Sequence, residues 1–469
     1  MGGAVGIMPV TDSVFLLAES REHPMHVGSL EIFTPPEGAG PDYVSDLYAK
    51  FLETEVVDEV FRKRPGHPVS SLGYLWWSVD EDVDLEYHVR HSALPVSGRS
   101  TDLFALVSRL HGTLLDRHRP LWEMYLVEGV EGGRFAVYTK THHSLMDGVT
   151  ALRLLHRTLD PDPDSEARVP WNLPERARPR TAHTAAAPAN GLAPVPAALL
   201  VAARGLAGDA AEAAAGVWRV ARTVLGQRSV ALPFEAPRSI FNVPIGGARR
   251  FASQSWPLDR IARVRDEADA SFNDVVLAMC SGALRAFLLE LDALPEDPLV
   301  AMVPVSLRTA ERIDAGGNSV GVTLCNLGTD SPDPVERLRV IRASMSEGKA
   351  LFHGLTPVEA LVWSAANIAP LGLAPVPGFV RLTPPPFNLI ISNVPGPREP
   401  LYWQGSRLEG VYPTSVVLDG QALNITVTTT AGSLDVGIVG CRRTLPTLPR
   451  LLAHLEQSLT DLEKAFAPE

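Results

Sequence analysis

Eight prolines fall between residues 161 and 196, among many Ala, Arg and Asp residues, a composition that suits a surface linker with no core of its own. A break of this kind divides the 469-residue chain into two blocks, and the length is enough for two large domains. Three parts are expected: an N-terminal domain over 1–160, a crossover over 161–244, and a C-terminal domain over 245–469. With 45% hydrophobic residues, both domains can bury sizeable cores. No internal repeat is visible.

Both blocks alternate strand and helix periods. RFAVYTKTH alternates side chains in the strand period and VTALRLLHRTL returns to the helical one. In the second block SFNDVVLAMCSGALRAFLLEL reads as a helix, with Ser271 as N-cap and Asp274 three positions on. PLVAMVPVSL, VGVTLCNL, NLIISNV and ALNITVTTT read as strands, the last rich in β-branched residues, and TLPRLLAHLEQSLTDLEKAF as an amphipathic closing helix. The expected fold is α/β, in two halves.

The net charge of −12 argues against a nucleic-acid surface and favours a neutral or thioester-linked substrate. Cys280, Cys325 and Cys441 lie far apart beside apolar residues, so reduced core thiols in a cytosolic protein are expected rather than disulfides or metal ligands. The opening MGGAVGIMPVTDSVFLLAES lacks a basic n-region, which predicts no cleaved signal peptide. Residues 360–380 carry no charge over a length that could cross a bilayer, yet Pro370, Pro375 and Pro377 would break a helix there and Asn367 is polar. A buried or interfacial segment is expected. The Ala-rich stretch 197–226 reads as a helix with Val217, Val220, Ala221 and Val224 on one face, packed against a domain or lying on a membrane surface.

The stretch TKTHHSLMDGVTA, residues 139–151, places two adjacent histidines at the end of the alternating strand. Neighbours in a strand point to opposite faces, so His142 and His143 cannot both chelate one ion while the strand persists. One free imidazole suffices for proton transfer. Asp147 and Gly148 sit where the strand gives way to a helix, and Asp147 can organise the loop by accepting hydrogen bonds or pairing with a cation. The pair by itself leaves chemistry and packing open.

HHSLMDG matches the HHxxxDG signature of the CoA-dependent acyltransferase superfamily. PLWEMYLVEG at 120–129, FNDVVLA at 272–278, PVSLR at 304–308 and NVPGP at 393–397, with MPVTDSVFLLAES and HPMHVGSLEIF near the start, resemble the bacterial wax ester synthase/diacylglycerol acyltransferase family. The matches run in family order and cover essentially the whole chain, least well over 161–230.

The resemblance implies two chloramphenicol-acetyltransferase-like domains with a tunnel between them, entered from opposite sides by fatty acyl-CoA and by a diacylglycerol or long-chain alcohol. It implies no metal or covalent cofactor. The proline-broken 360–380 segment and the Ala-rich 197–226 stretch predict peripheral rather than integral association, at the cytoplasmic membrane face or at lipid droplets. His143 matches the family's general base, and His142 is expected to pack or hydrogen-bond on the opposite face. Asn273, from the family's Asn-Asp motif, is the first candidate donor to the oxyanion. Ser392 and Asn393 are further candidates, and Gly148 joins the positioning set. Asp274 is expected to support the helix start, Pro120, Leu121 and Trp122 to form wall, and Arg308 to pair with Asp147. Two alternatives remain open: a carrier-protein-dependent acyltransferase of the polyketide or condensation type, and a non-catalytic lipid-binding protein of the same fold.

Overall fold

The computed structural model describes residues 4–66, 76–95, 97–165, 168–173, 234–306, 320–353, 363–364, 367 and 378–467. Numbered along the chain, its strands are β1 (Ala4–Ile7), β2 (His26–Thr34), β3 (Lys63–Pro65), β4 (Trp76–Val79), β5 (Val89–Ala93), β6 (Trp122–Val130), β7 (Arg134–His142), β8 (Arg249–Pro257), β9 (Val300–Ser306), β10 (Val320–Asn326), β11 (Leu389–Asn393), β12 (Tyr402–Trp403), β13 (Ser406–Thr414), β14 (Leu423–Thr430) and β15 (Ser433–Cys441). They form two six-stranded sheets, ordered β12-β13-β2-β7-β6-β5 and β10-β9-β11-β14-β15-β8, and a small sheet β1-β4-β3. Both large sheets are mixed: β5 runs parallel to β6, and β11 runs parallel to β9 and to β14.

Local sequence accounts for much of this. The β-branched run of β14 lies inside the second sheet, with Leu423 to Thr428 buried. The helix Phe272–Glu290 starts in a capping box: Ser271 Oγ accepts from Asp274 N at 3.2 Å, and Asp274 Oδ2 accepts from Ser271 N at 3.1 Å. Among the described residues this is the one helix long and apolar enough to cross a membrane, but it is the core of the second half. It packs against the helices Pro334–His353 and Arg450–Ala465. The approach is close at Gly282, where a Cβ would meet Ser458 Oγ at 2.2 Å. Cys280, Cys325 and Cys441 are free and buried, as composition suggested.

The expected division at residue 245 is crossed by the chain. β12 and β13 come from the C-terminal stretch but extend the first sheet, β13 pairing with β2 from Arg407↔Thr34 to Thr414↔Gly28. The alternation of a strand fixes which side chains share a face, not which sheet it joins. The exchange brings the sheets together where β13 passes β15. There Asp435, fully buried on β15, accepts from Val411 N of β13 at 2.9 Å and from Ser255 Oγ of β8 at 2.6 Å. Gly437 allows the crossing, because a Cβ there would meet the Pro413 carbonyl oxygen at 2.0 Å. The stretch 197–226, expected to be helical, Arg308 and most of 360–380 lie outside the described residues.

Candidate active site

β7 presents Phe135, Val137, Thr139 and Thr141 on one face and Ala136, Tyr138, Lys140 and His142 on the other. At its end, the main chain of each histidine is held by a neighbour: His142 N donates to Leu121 O at 2.9 Å, and His143 N to Met25 O at 2.8 Å. The two rings therefore go to different places.

His142 is fully buried behind the sheet. Its Nδ1 accepts from Ser144 N at 3.1 Å, which leaves the proton on Nε2, facing Glu19 Oε1 at 3.3 Å. Arg117 donates to Glu19 Oε2 from Nε at 3.0 Å and Nη2 at 2.8 Å. Burial alone would raise the Glu19 carboxyl, but His142 and Arg117 together outweigh it and hold it below the usual carboxylate range. His142 is thus a buried structural partner.

His143 faces the other way, into a cavity of about 680 Å³ between the two large sheets. Its ring stacks on Phe15 at 4.0 Å between centroids. Burial depresses its pKa below the ordinary histidine value, and His142 adds to this; a hydrogen bond to its own main chain and the Asp147 charge pull less strongly the other way. The imidazole is neutral at pH 7 and free to accept a proton. Among the described residues no carboxylate lies within ion-pair range of it.

The first sheet and its loops contribute Val27, Thr141, Asp147 and Gly148 to the cavity wall, and the second contributes Met302, Ile390, Ser392 and Thr426. Most of the wall is apolar. Asp147 caps the helix Gly148–His156, accepting from Thr150 N at 2.7 Å. Its expected partner Arg308 is outside the described residues. Losing such a cap costs typically about 1 kcal/mol, so Asp147→Ala is expected to lower the unfolding free energy by that amount, read as a lower urea midpoint, with the helix start and His143 loosened together. A parent-like midpoint would show that the cap contributes nothing.

Asn273, the first-choice donor on sequence, does not line the cavity. Its Oδ1 faces Asn393 Nδ2 at 3.5 Å, behind Ser392, so the loop at the end of β11 meets the helix start there. Asp274 supports the helix start as expected, through the capping box with Ser271. Pro120, Leu121 and Trp122 are buried: Leu121 carries the carbonyl that holds His142, and Trp122 stacks between His88 and Trp171.

The description "Wax ester synthase/diacylglycerol acyltransferase catalytic domain" matches residues 8–276, and "WS/DGAT C-terminal domain" matches residues 316–463. The chain belongs to the wax ester synthase/diacylglycerol acyltransferase family. It is 53% identical over 460 residues, 98% of this chain and 99% of the relative, to a protein of Mycobacterium tuberculosis named probable diacylglycerol O-acyltransferase. The structure of a wax ester synthase/diacylglycerol acyltransferase from Marinobacter aquaeolei matches with TM-score 0.78 and 38% identity, over 99% of this chain and 100% of that one. A condensation domain of the CDA synthetase matches with TM-score 0.54 at 16% identity, over 99% and 97% of the two chains, and shares the fold alone.

Within this family frame, sequence reading passed over Phe15, Glu19 and Met25, all inside or beside the stretches that carry the resemblance. A carboxylate at the end of the apolar run VFLLAES was the available signal for Glu19. Glu31 was missed as well. It is buried on the cavity side of β2, takes a hydrogen bond from Ser29 Oγ at 3.0 Å, and is pushed up by burial to about 8.

Proposed function

We propose that this chain moves a long-chain acyl group from acyl-CoA to the hydroxyl of a diacylglycerol or a long-chain alcohol, with His143 as general base. The observation that carries the reading is a neutral histidine on the wall of an apolar cavity between two sheets, in a chain of this family. An alcohol is a weak nucleophile at neutral pH, so a base against its proton is the minimum equipment. His143 takes that proton as the oxygen attacks the thioester carbon. When the tetrahedral intermediate collapses, the carbon–sulfur bond breaks and the CoA thiolate receives the proton from His143. Ser392 lines the opposite wall and in this reading donates to the oxyanion; one such donor is worth roughly 3 kcal/mol in acyl-transfer enzymes. Purified protein incubated with labelled palmitoyl-CoA and either diolein or hexadecanol is expected to yield triacylglycerol, wax ester or both. No labelled neutral lipid from either acceptor would overturn the reading.

The acceptors are insoluble in water, and the helix Val10–Ala18 carries Val14, Phe15 and Ala18 on the cavity wall, with Val14 and Leu17 53% and 60% exposed. This apolar mouth supports peripheral attachment to the cytoplasmic membrane face or to lipid droplets. Leu17→Glu is expected to reduce co-sedimentation with phospholipid vesicles several-fold, and alkaline carbonate to release the parent protein. Retention until detergent is added would contradict peripheral attachment.

A further inference from the structure

A second cavity, of about 860 Å³, opens between the helix Ser100–His111, the start of β8 and the turn after β15. Its walls carry Arg21, Arg109, Arg249, Arg250 and Arg442 against the carboxylates of Glu22 and Asp102. Five cations against two anions is a local reversal in a chain of net charge −12.

The carboxylates are engaged elsewhere: Asp102 takes the Ser97 hydroxyl and lies 3.7 Å from Arg99, and Glu22 accepts from Ser20 Oγ at 3.4 Å. Arg249 is buried and committed to the carbonyls of Gly246 and Glu22. The other four arginines have no carboxylate partner among the described residues, and Arg250 Nε is buried with no hydrogen-bond partner. A helix C-terminus beside a cleft repels anions, but here the carbonyls that end Ser100–His111 are occupied. Lys140 Nζ donates to Leu110 O and Thr113 O, and His26 Nε2 lies 2.8 Å from His111 O. Unpaired guanidinium groups around a concave surface suit phosphate oxygens.

The chain itself links the cleft to the catalytic cavity. Arg21 and Glu22 line the first, while His23, the next residue, lines the second. A ligand with a polyanionic head and a long thioester arm is the kind of molecule that would use both.

We propose that this arginine cleft seats the phosphate groups at the nucleotide end of the acyl-CoA donor, with the thioester arm running past Arg21–His23 to His143. The assignment rests on the acyl-transfer reading. Phosphate is also the chemistry of anionic lipid headgroups, so the test separates the two sources. Full-length protein is titrated calorimetrically with adenosine 3′,5′-bisphosphate, then assayed with palmitoyl-CoA and with palmitoyl-N-acetylcysteamine, which has the thioester but no nucleotide. Arg109→Glu combined with Arg442→Glu, both on exposed positions, is expected to weaken bisphosphate binding at least tenfold. KM for palmitoyl-CoA rises by a similar factor, with kcat retained and KM for the nucleotide-free thioester shifted less than twofold. Arg250→Gln tests the buried edge by the same readouts. Unchanged bisphosphate binding, or equal KM increases for both thioesters, overturns the proposal. So does loss of binding to phosphatidylglycerol vesicles with bisphosphate binding intact, which would make the cleft a headgroup site. If the parent binds the bisphosphate but turns over neither thioester, the acyl-transfer reading fails while the cleft stands.

Discussion

His143→Ala is expected to lower kcat by roughly 100- to 10,000-fold, the usual worth of a general base, while the protein melts with its parent. The asymmetry follows from where the ring sits. His143 touches Phe15 and the cavity, and its main-chain bond to Met25 survives truncation of the side chain. His142→Ala should behave in the opposite way, because that ring is fully buried against Glu19 and Ser144 and never reaches the cavity. Steady-state kinetics and thermal melts on both variants check the pair. Equal kinetic losses in two well-folded variants would remove the division of roles.

Glu19→Ala is the substitution expected to cost most in stability, about 3–5 kcal/mol, read as a fall in the urea midpoint. Its side chain is 1% exposed and takes two hydrogen bonds from Arg117, one from Met25 N at 3.3 Å, and the contact with His142. Removal strands the Arg117 and His142 side chains without their carboxylate in a dry interior. It also loosens Met25, whose carbonyl holds the His143 main chain, so activity should fall with stability. The pH dependence has a definite sign. The folded pKa lies below the unfolded value of about 4.3, so Glu19 stabilises the fold above that value and the contribution is lost as pH falls through the lower folded one. In Glu19→Gln that acid-side loss should shrink. A parent-like midpoint in Glu19→Ala would show that the buried pair contributes nothing net.

The residues near His143 were legible because strand alternation is a local rule: one period separates the faces of β7 and sends the two rings apart. The capping box at Ser271 and Asp274 was legible for the same reason, being spelled within four residues. Contacts between distant segments were not. Nothing in SRLEGVYPT says that this strand leaves its neighbours to pair with β2, and so the division at 245 missed the exchange. Asn273 was chosen by its motif, but its direction is set by Asn393, over a hundred residues later. Arg21, Arg109, Arg250 and Arg442 are scattered through a net acidic sequence, and only folding gathers them into one cleft.

The pH dependence of kcat/KM for palmitoyl-CoA, measured with acceptor well below its own KM, bears most directly on a neutral His143 acting as base. Burial holds the free enzyme's imidazole below the ordinary value of about 6.5, so protonation should switch the reaction off only on the acid side of that value. The expected profile is flat through neutral pH with one acid limb whose midpoint lies below 6.5. A limb centred above 6.5, or no acid limb at all, would contradict a buried neutral histidine as the base.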